Sequence, residues 1–200
     1  MSIPILLITP PFTQLNTPYP ATAYLKGFLN TKNIQSHQAD LGIEVTCALF
    51  SKAGLQKLFD DINEQTNEHS TPSLKLWSSK ENIKRIIALQ NDYIITIDAV
   101  MLFLQGKSPT LAHSISSRNF LPEAERFEQL DDLKWAFGSM GTQDKAKHIA
   151  TMYLEDLSDL IIECVDAHFG FSRYAERLGR SANSFDELYT AMHQPYTFID

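Results

Sequence analysis

The sequence predicts an α/β protein: a partial doubly wound parallel sheet at the N-terminus with a predominantly helical remainder. Three observations lead to that class. Residues 4–9 (Pro-Ile-Leu-Leu-Ile-Thr) form a short, continuous, β-friendly apolar run that ends at Pro10-Pro11, the pattern of a strand buried on both faces in a parallel sheet. Strand, loop, helix and strand then follow one another by residue 40, the order of a right-handed βαβ unit. Beyond Gly42 the strand signals fade and apolar residues recur at helical spacing. Residues 1–45 are therefore expected to open the sheet, with 46–200 packed on them as one mostly helical unit.

The elements are justified in order. Residues 12–20 are a polar loop, and Pro20 stands where the first turn of a helix tolerates proline. Ala21, Tyr24, Leu25, Phe28 and Leu29 share helical spacing over 21–31, and Asn33 is a C-terminal stop. Residues 36–40 are a more polar second strand. A helical run over 45–50 is expected to continue into 55–62, where Leu55, Leu58, Phe59 and Ile62 form a stripe. Residues 66–72 read as a polar loop. Residues 81–102 are helical in pattern, although 93–97 alone would suit a strand. Pro109 is expected to open a short helix capped by Ser108, and 119–125 form a connection around Pro122. After a break at 140–142 comes the strongest helix, 145–165, with Ile149, Met152, Tyr153, Leu157, Leu160, Ile161 and Cys164 along one side. Short helices are expected at 172–178 and at 185–192, the latter capped by Ser184 with Glu187 three residues on. Two parallel strands are not stable alone, so later strands or a partner must complete the sheet.

Composition narrows the partners. The formal charge is −7 with a pI near 5.3, which argues against nucleic acid and against an anionic membrane surface. No run approaches the roughly 18 apolar residues of a membrane span, and residues 3–8 make a poor signal-peptide core. Cys47 and Cys164 are expected to be free, buried thiols. The location expected is cytoplasmic.

One motif set resembles a known family. Residues 5–11 (Ile-Leu-Leu-Ile-Thr-Pro-Pro), then Pro18-Tyr19-Pro20-Ala21, then Tyr24-Leu25-Lys26-Gly27-Phe28-Leu29, are similar to the N-terminal pattern of cobalamin-binding-type radical S-adenosylmethionine proteins. The strand ending around Ala39-Asp40-Leu41 resembles the second strand of that pattern. Residues 153–161 and 166–175 resemble an insertion found in some members. The resemblance implies a Rossmann-like sheet with cobalamin beyond the carboxyl ends of the strands, at Thr9, Pro10, Pro11, Pro18, Tyr19, Pro20 and Asp40. A helix starting at Pro20 would aim its free N–H groups into that crevice. The family's Cys-x3-Cys-x2-Cys is absent, so [4Fe–4S] and S-adenosylmethionine would belong only to a longer parent chain. The chain is thus expected to be a non-catalytic N-terminal portion of such a protein, and the strand character of 196–200 agrees with a sheet that continues.

Other constellations have plainer readings. Asp166-x-His168-x-Gly170 is one residue short of the Asp-x-His-x-x-Gly cobalt-ligand motif and ends a helix, where a histidine favours the dipole and glycine terminates. His113, His148 and His168, with Asp156 or Asp159, lack ligand spacing, and Asp144 and His148 read as a solvated i, i+4 pair. Glu155, Asp156, Asp159, Glu163 and Asp166 are expected to form a solvated helix face. Arg173, Arg177 and Arg180 suit either an anion clamp or pairing with those acids. No nucleophile–base pair is legible, so no catalytic or metal residue is assigned. A helical scaffold docking on a separate partner is the alternative function, and a small hydrolase or transferase ranks last.

Overall fold

The structure is a computed structural model that describes residues 4–10, 20–67, 80–130, 141–167, 169–171, 184–195, 197 and 199. It is mostly helical, with a small two-stranded parallel sheet at the N-terminus. The chain divides into two compact units, Met1–Ala48 with Gly170–Tyr196 and Leu49–Phe169 with Thr197–Asp200.

In the first unit β1 (Ile5–Thr9) pairs in parallel with β2 (Ser36–Asp40), in a register running from Ile5 opposite Ser36 to Thr9 opposite Asp40. Helix α1 (Ala21–Thr31) connects them and packs on both strands. Asn33 adopts φ 53° and the Ile34 amide returns to the Leu29 carbonyl at 3.1 Å, a left-handed stop that asparagine tolerates. Helix α2 (Leu41–Leu49) starts directly after β2, because Asp40 Oδ1 accepts from the Ile43 amide at 3.2 Å and acts as its N-cap.

Two expectations for this unit are corrected. β1 is not buried on both faces: Ile5, Leu6 and Ile8 are exposed and only Thr9 is fully buried. The apolar stripe of α1 does not face the sheet either, since Tyr24, Leu25 and Phe28 are exposed while Thr22 is the buried residue. Both have one cause. Among the described residues β1 has a single strand neighbour and α1 has only this narrow sheet to cover, so apolar positions suited to a wider sheet find no cover. Helix α8 (Phe185–Met192) also belongs to this unit, and Ser184 caps it as expected, accepting from the Glu187 amide at 3.2 Å.

The second unit holds a true core. It contains α3 (Lys52–Asn67), α4 (Glu81–Ala88), α5 (Gln90–Leu104), a 3-10 turn at Pro109–Leu111, α6 (Ala112–Ser116), a second 3-10 turn at Glu125–Leu130 and α7 (Thr142–Cys164). The predicted stripes of α3 and α7 are buried, including Leu55, Leu58, Phe59, Ile62, Ile149, Tyr153, Leu157, Leu160 and Ile161. Tyr93, Ile97 and Val100 of α5 meet them. Helix α3 is separate from α2, because Ser51 Oγ caps it by accepting from Gly54 N at 3.0 Å and Asp98 Oδ1 of α5 accepts from Lys52 N at 2.8 Å.

Residues 81–102 are helical, as their pattern predicts, and divide into two helices bent by 74° at Leu89. The bend turns Ile83 and Ile86 into the core alongside Tyr93 and Ile97, and residues 93–97 are helical. Gly106, at φ 76°, ends α5 with the Lys107 amide bonded to the Leu102 carbonyl. Pro109 opens a 3-10 turn, and Ser108 makes no side-chain cap. Among the described residues no single helix is long and apolar enough to cross a membrane. Both cysteines are free, but Cys47 is exposed and Cys164 half-buried, against the expectation of burial. The expected helix at 172–178, the arginine cluster, His168 and residues 68–72 of the expected loop lie outside the described residues.

Candidate functional site

Two places gather polar side chains. The first is the carboxyl edge of the small sheet. Thr9 ends β1 fully buried, with its Oγ1 3.5 Å from Thr22 Oγ1 in the first turn of α1. Gln38 Nε2 of β2 donates to the same Thr22 hydroxyl at 2.8 Å. Thr22 therefore ties the helix start to both strands, which places the Pro20 end of α1 beside the ends of β1 and β2. Thr9 and Asp40 stand side by side in the register; Pro10 and Pro20 are exposed there, and Asp40 is half-buried. The edge thus assembles Thr9, Pro10, Pro20 and Asp40, whereas Pro11, Pro18 and Tyr19 lie outside the described residues. Asp40 already has a structural task as the cap of α2.

The second place lies in the helical unit, where α7 carries Glu155, Asp156 and Asp159. Arg126, from the second 3-10 turn, grips Asp159 with two bonds of 2.8 Å and reaches Glu155 at 3.2 Å, a bidentate geometry that Lys cannot copy. Asp156 is fully buried, which corrects the expectation of a solvated acidic face. Neither of its carboxylate oxygens makes a close, well-aligned hydrogen bond; the Arg126 and Ala124 backbone N–H groups and the buried Tyr93 hydroxyl are the uncharged donors that act on it. Burial pushes the Asp156 carboxyl up to about 7. The backbone N–H of Arg126 opposes that rise, the Asp159 carboxylate adds to it, and the Arg126 guanidinium and the Ala124 backbone oppose it. Burial, then the Asp156 charge, also drives the Tyr93 phenol far above its ordinary range.

Beside this cluster a cavity of about 500 Å³ opens between α4, the second 3-10 turn and α7. Its two cations are engaged, Lys80 with Glu163 and Arg85 with Glu128 at 2.8 Å. Glu81, Glu125 and Asp159 make the lining net acidic. Burial pushes the Cys164 thiol up to about 12, which leaves almost no thiolate at neutral pH and makes it a poor nucleophile. Asp144 and His148 are both exposed. No group of three or more metal-ligating side chains occurs among the described residues.

Sequence reasoning missed Tyr93, Arg126 and the burial of Asp156. For Asp156 a signal existed: it lies four residues from Met152 and from Leu160, inside the apolar stripe and not opposite it. Arg126 had no such signal, because its partners lie about thirty residues away in sequence.

Fold and sites together define a mostly helical protein with a short parallel βαβ start and a buried acid in its helical core. No family model, curated protein or solved structure matches the chain.

Proposed function

We propose that the N-terminal unit is the opening βαβ segment of a Rossmann-like, cobalamin-binding-type domain of a radical S-adenosylmethionine protein, and that this chain is not a catalyst by itself. The observation that carries the reading is the shared edge: parallel strands ending abreast at Thr9 and Asp40, with the start of α1 held against them through Thr22. In doubly wound sheets that edge is where ligands sit. The exposed Ile5, Leu6 and Ile8 of β1 also suit a strand meant for the interior of a wider sheet.

The residues fit cobalamin as one side of a site and no more. Two strands span about 5 Å across the sheet, far less than a corrin ring, so Thr9, Pro10, Pro20 and Asp40 would hold one margin of it. The test is a titration of hydroxocobalamin into the full chain, followed by its visible spectrum. A weak, saturable band shift is expected, reduced at least several-fold in Asp40→Ser, which keeps a capping oxygen for α2. An unchanged spectrum at saturating cobalamin would overturn cobalamin binding by this chain.

A second reading, a scaffold that docks on a separate partner, draws on the exposure of Tyr24, Leu25 and Phe28 along α1. Contiguous apolar exposure of this kind marks interaction surfaces. A monodisperse monomer that binds no hydrophobic dye would count against it.

A further inference from the structure

Asp156, in the helical unit, is an ionisable group that neither functional reading uses. Helix α7 presents Glu155, Asp156 and Asp159 toward a single guanidinium, that of Arg126. Three of the five Arg126 N–H groups are engaged: Nε and Nη2 serve Asp159, and Nη1 serves Glu155. Asp156 is left without an ion-pair partner of its own, fully buried, and the other donors around it are uncharged: the backbone N–H groups of Arg126 and Ala124 and the Tyr93 hydroxyl.

We propose that Asp156 is a buried proton switch: the helical unit is tightly packed while Asp156 holds a proton and loosens when it loses one. A neutral carboxylic acid costs far less in an apolar core than a carboxylate that has no ion-pair partner. On ionisation the proton leaves to bulk water, and the new charge needs a donor. The donors at hand are the Tyr93 hydroxyl, the backbone N–H groups of Arg126 and Ala124 in and before the 3-10 turn, and the Arg126 guanidinium, whose approach to Asp156 pulls on its bonds to Asp159 and Glu155. Either response disturbs the Tyr93–Tyr153 ring pair, whose centroids lie 5.0 Å apart in the core, or the 3-10 turn that packs on α7.

The charged and titratable groups that act on Asp156 and Tyr93 sit on α4, α5, the second 3-10 turn and α7. Helix α5 gives Tyr93, the turn gives Arg126, and α7 itself gives Asp159. Tyr153 of α7 and Arg85 of α4 act on Tyr93. Helix α6 also packs on α7, and its one titratable side chain, His113, is exposed. Arg126 and Arg85 favour ionisation but are each tied to other acids.

The direction with pH follows from linkage. The folded state holds the Asp156 proton more tightly than the unfolded chain, so the contribution of Asp156 to stability is largest at low pH. It falls as pH rises from the ordinary carboxyl range, about 4, toward neutrality, and levels off above. The experiment compares wild type and Asp156→Asn in thermal unfolding from pH 5 to 8.5, with near-ultraviolet tyrosine dichroism as a second readout. The wild type should lose melting temperature and tyrosine dichroism between pH 5 and 7.5. Asp156→Asn should lose neither to the same extent and should melt above wild type at pH 8. Parallel pH profiles for the two proteins would overturn the proposal. Carboxyl-carbon NMR of the wild type keeps the test alive if the variant does not fold. One aspartate titrating near neutrality supports the switch, and all aspartates titrating below about 5 overturns it.

Discussion

Tyr153 shows how a single side chain orders the helical core. Its ring is fully buried against Tyr93, and its hydroxyl donates to the Tyr93 carbonyl at 3.0 Å and lies 3.0 Å from Thr96 Oγ1. Thr96 in turn donates to the Asp92 carbonyl at 2.6 Å. The polar atom thus closes a small network between α7 and α5, and burial holds the phenol above its ordinary range, so it stays neutral. Tyr153→Phe leaves the packing volume but strands its partners, and is expected to cost about 1–2 kcal/mol in urea unfolding. Arg126 acts differently, through charge. Arg126→Ala removes the cation that favours Asp156 ionisation and leaves Glu155 and Asp159 unneutralised beside it. The neutral-pH stability loss should therefore move to higher pH than in wild type, measured by the same melting series. Because Arg126 is over a third exposed, solvent screens its ion pairs, and the direct cost at pH 6 should be only about 1 kcal/mol.

Elements were legible where one physical signal sufficed. The α7 stripe and the α3 stripe were readable because burial on one side of a helix imposes a 3.6-residue period, and the Ser184 cap because a side-chain oxygen three residues ahead of an amide is a local event. Ser184→Ala is expected to loosen α8 by about 1 kcal/mol, seen as faster hydrogen exchange at the Glu187 and Leu188 amides, whereas Ser184→Asp should keep their protection. What was illegible depends on distance in sequence. The bend at Leu89 has no proline or glycine to announce it; it exists because Ile83 and Ile86 meet a core built mostly from elsewhere. Likewise, α3 starts where it does partly because Asp98, far along the chain, accepts from Lys52 N. At the candidate edge, the strand ends and the helix start could be read locally, but the tie among Thr9, Thr22 and Gln38 needed three elements in place. The exposure of Leu6 and Phe28 could not be read either, since apolar identity says what a residue would bury, not whether cover is present.

At the scale of the whole molecule the two units differ in how well they bury what they carry. The helical unit encloses Tyr93, Tyr153, Phe50, Phe59 and Phe127 almost completely. The N-terminal unit leaves Ile5, Leu6, Ile8, Tyr24, Leu25 and Phe28 exposed, around a sheet that has two strands among the described residues. Buried apolar surface is the main favourable term in folding, at about 25 cal/mol per Å², and a two-stranded sheet gains little of it. Local opening should therefore be far easier in β1, β2 and α1 than in α5 and α7. Native-state hydrogen exchange tests this directly. At pH 6 the amides of α5 and α7 should exchange only through global unfolding, and those of Leu7, Ala39 and Leu25 through openings at least tenfold more frequent. Raising the pH to 8, with intrinsic exchange rates corrected, should lower protection in α5 and α7, because Asp156 then ionises in their shared core. The ionisable side chains of the N-terminal strands, His37 and Asp40, are not fully buried, so these strands should keep their pH 6 opening constants. Equal protection in β1 and α7 would refute the difference in burial, and pH-independent protection of α7 would refute the switch while leaving that difference intact.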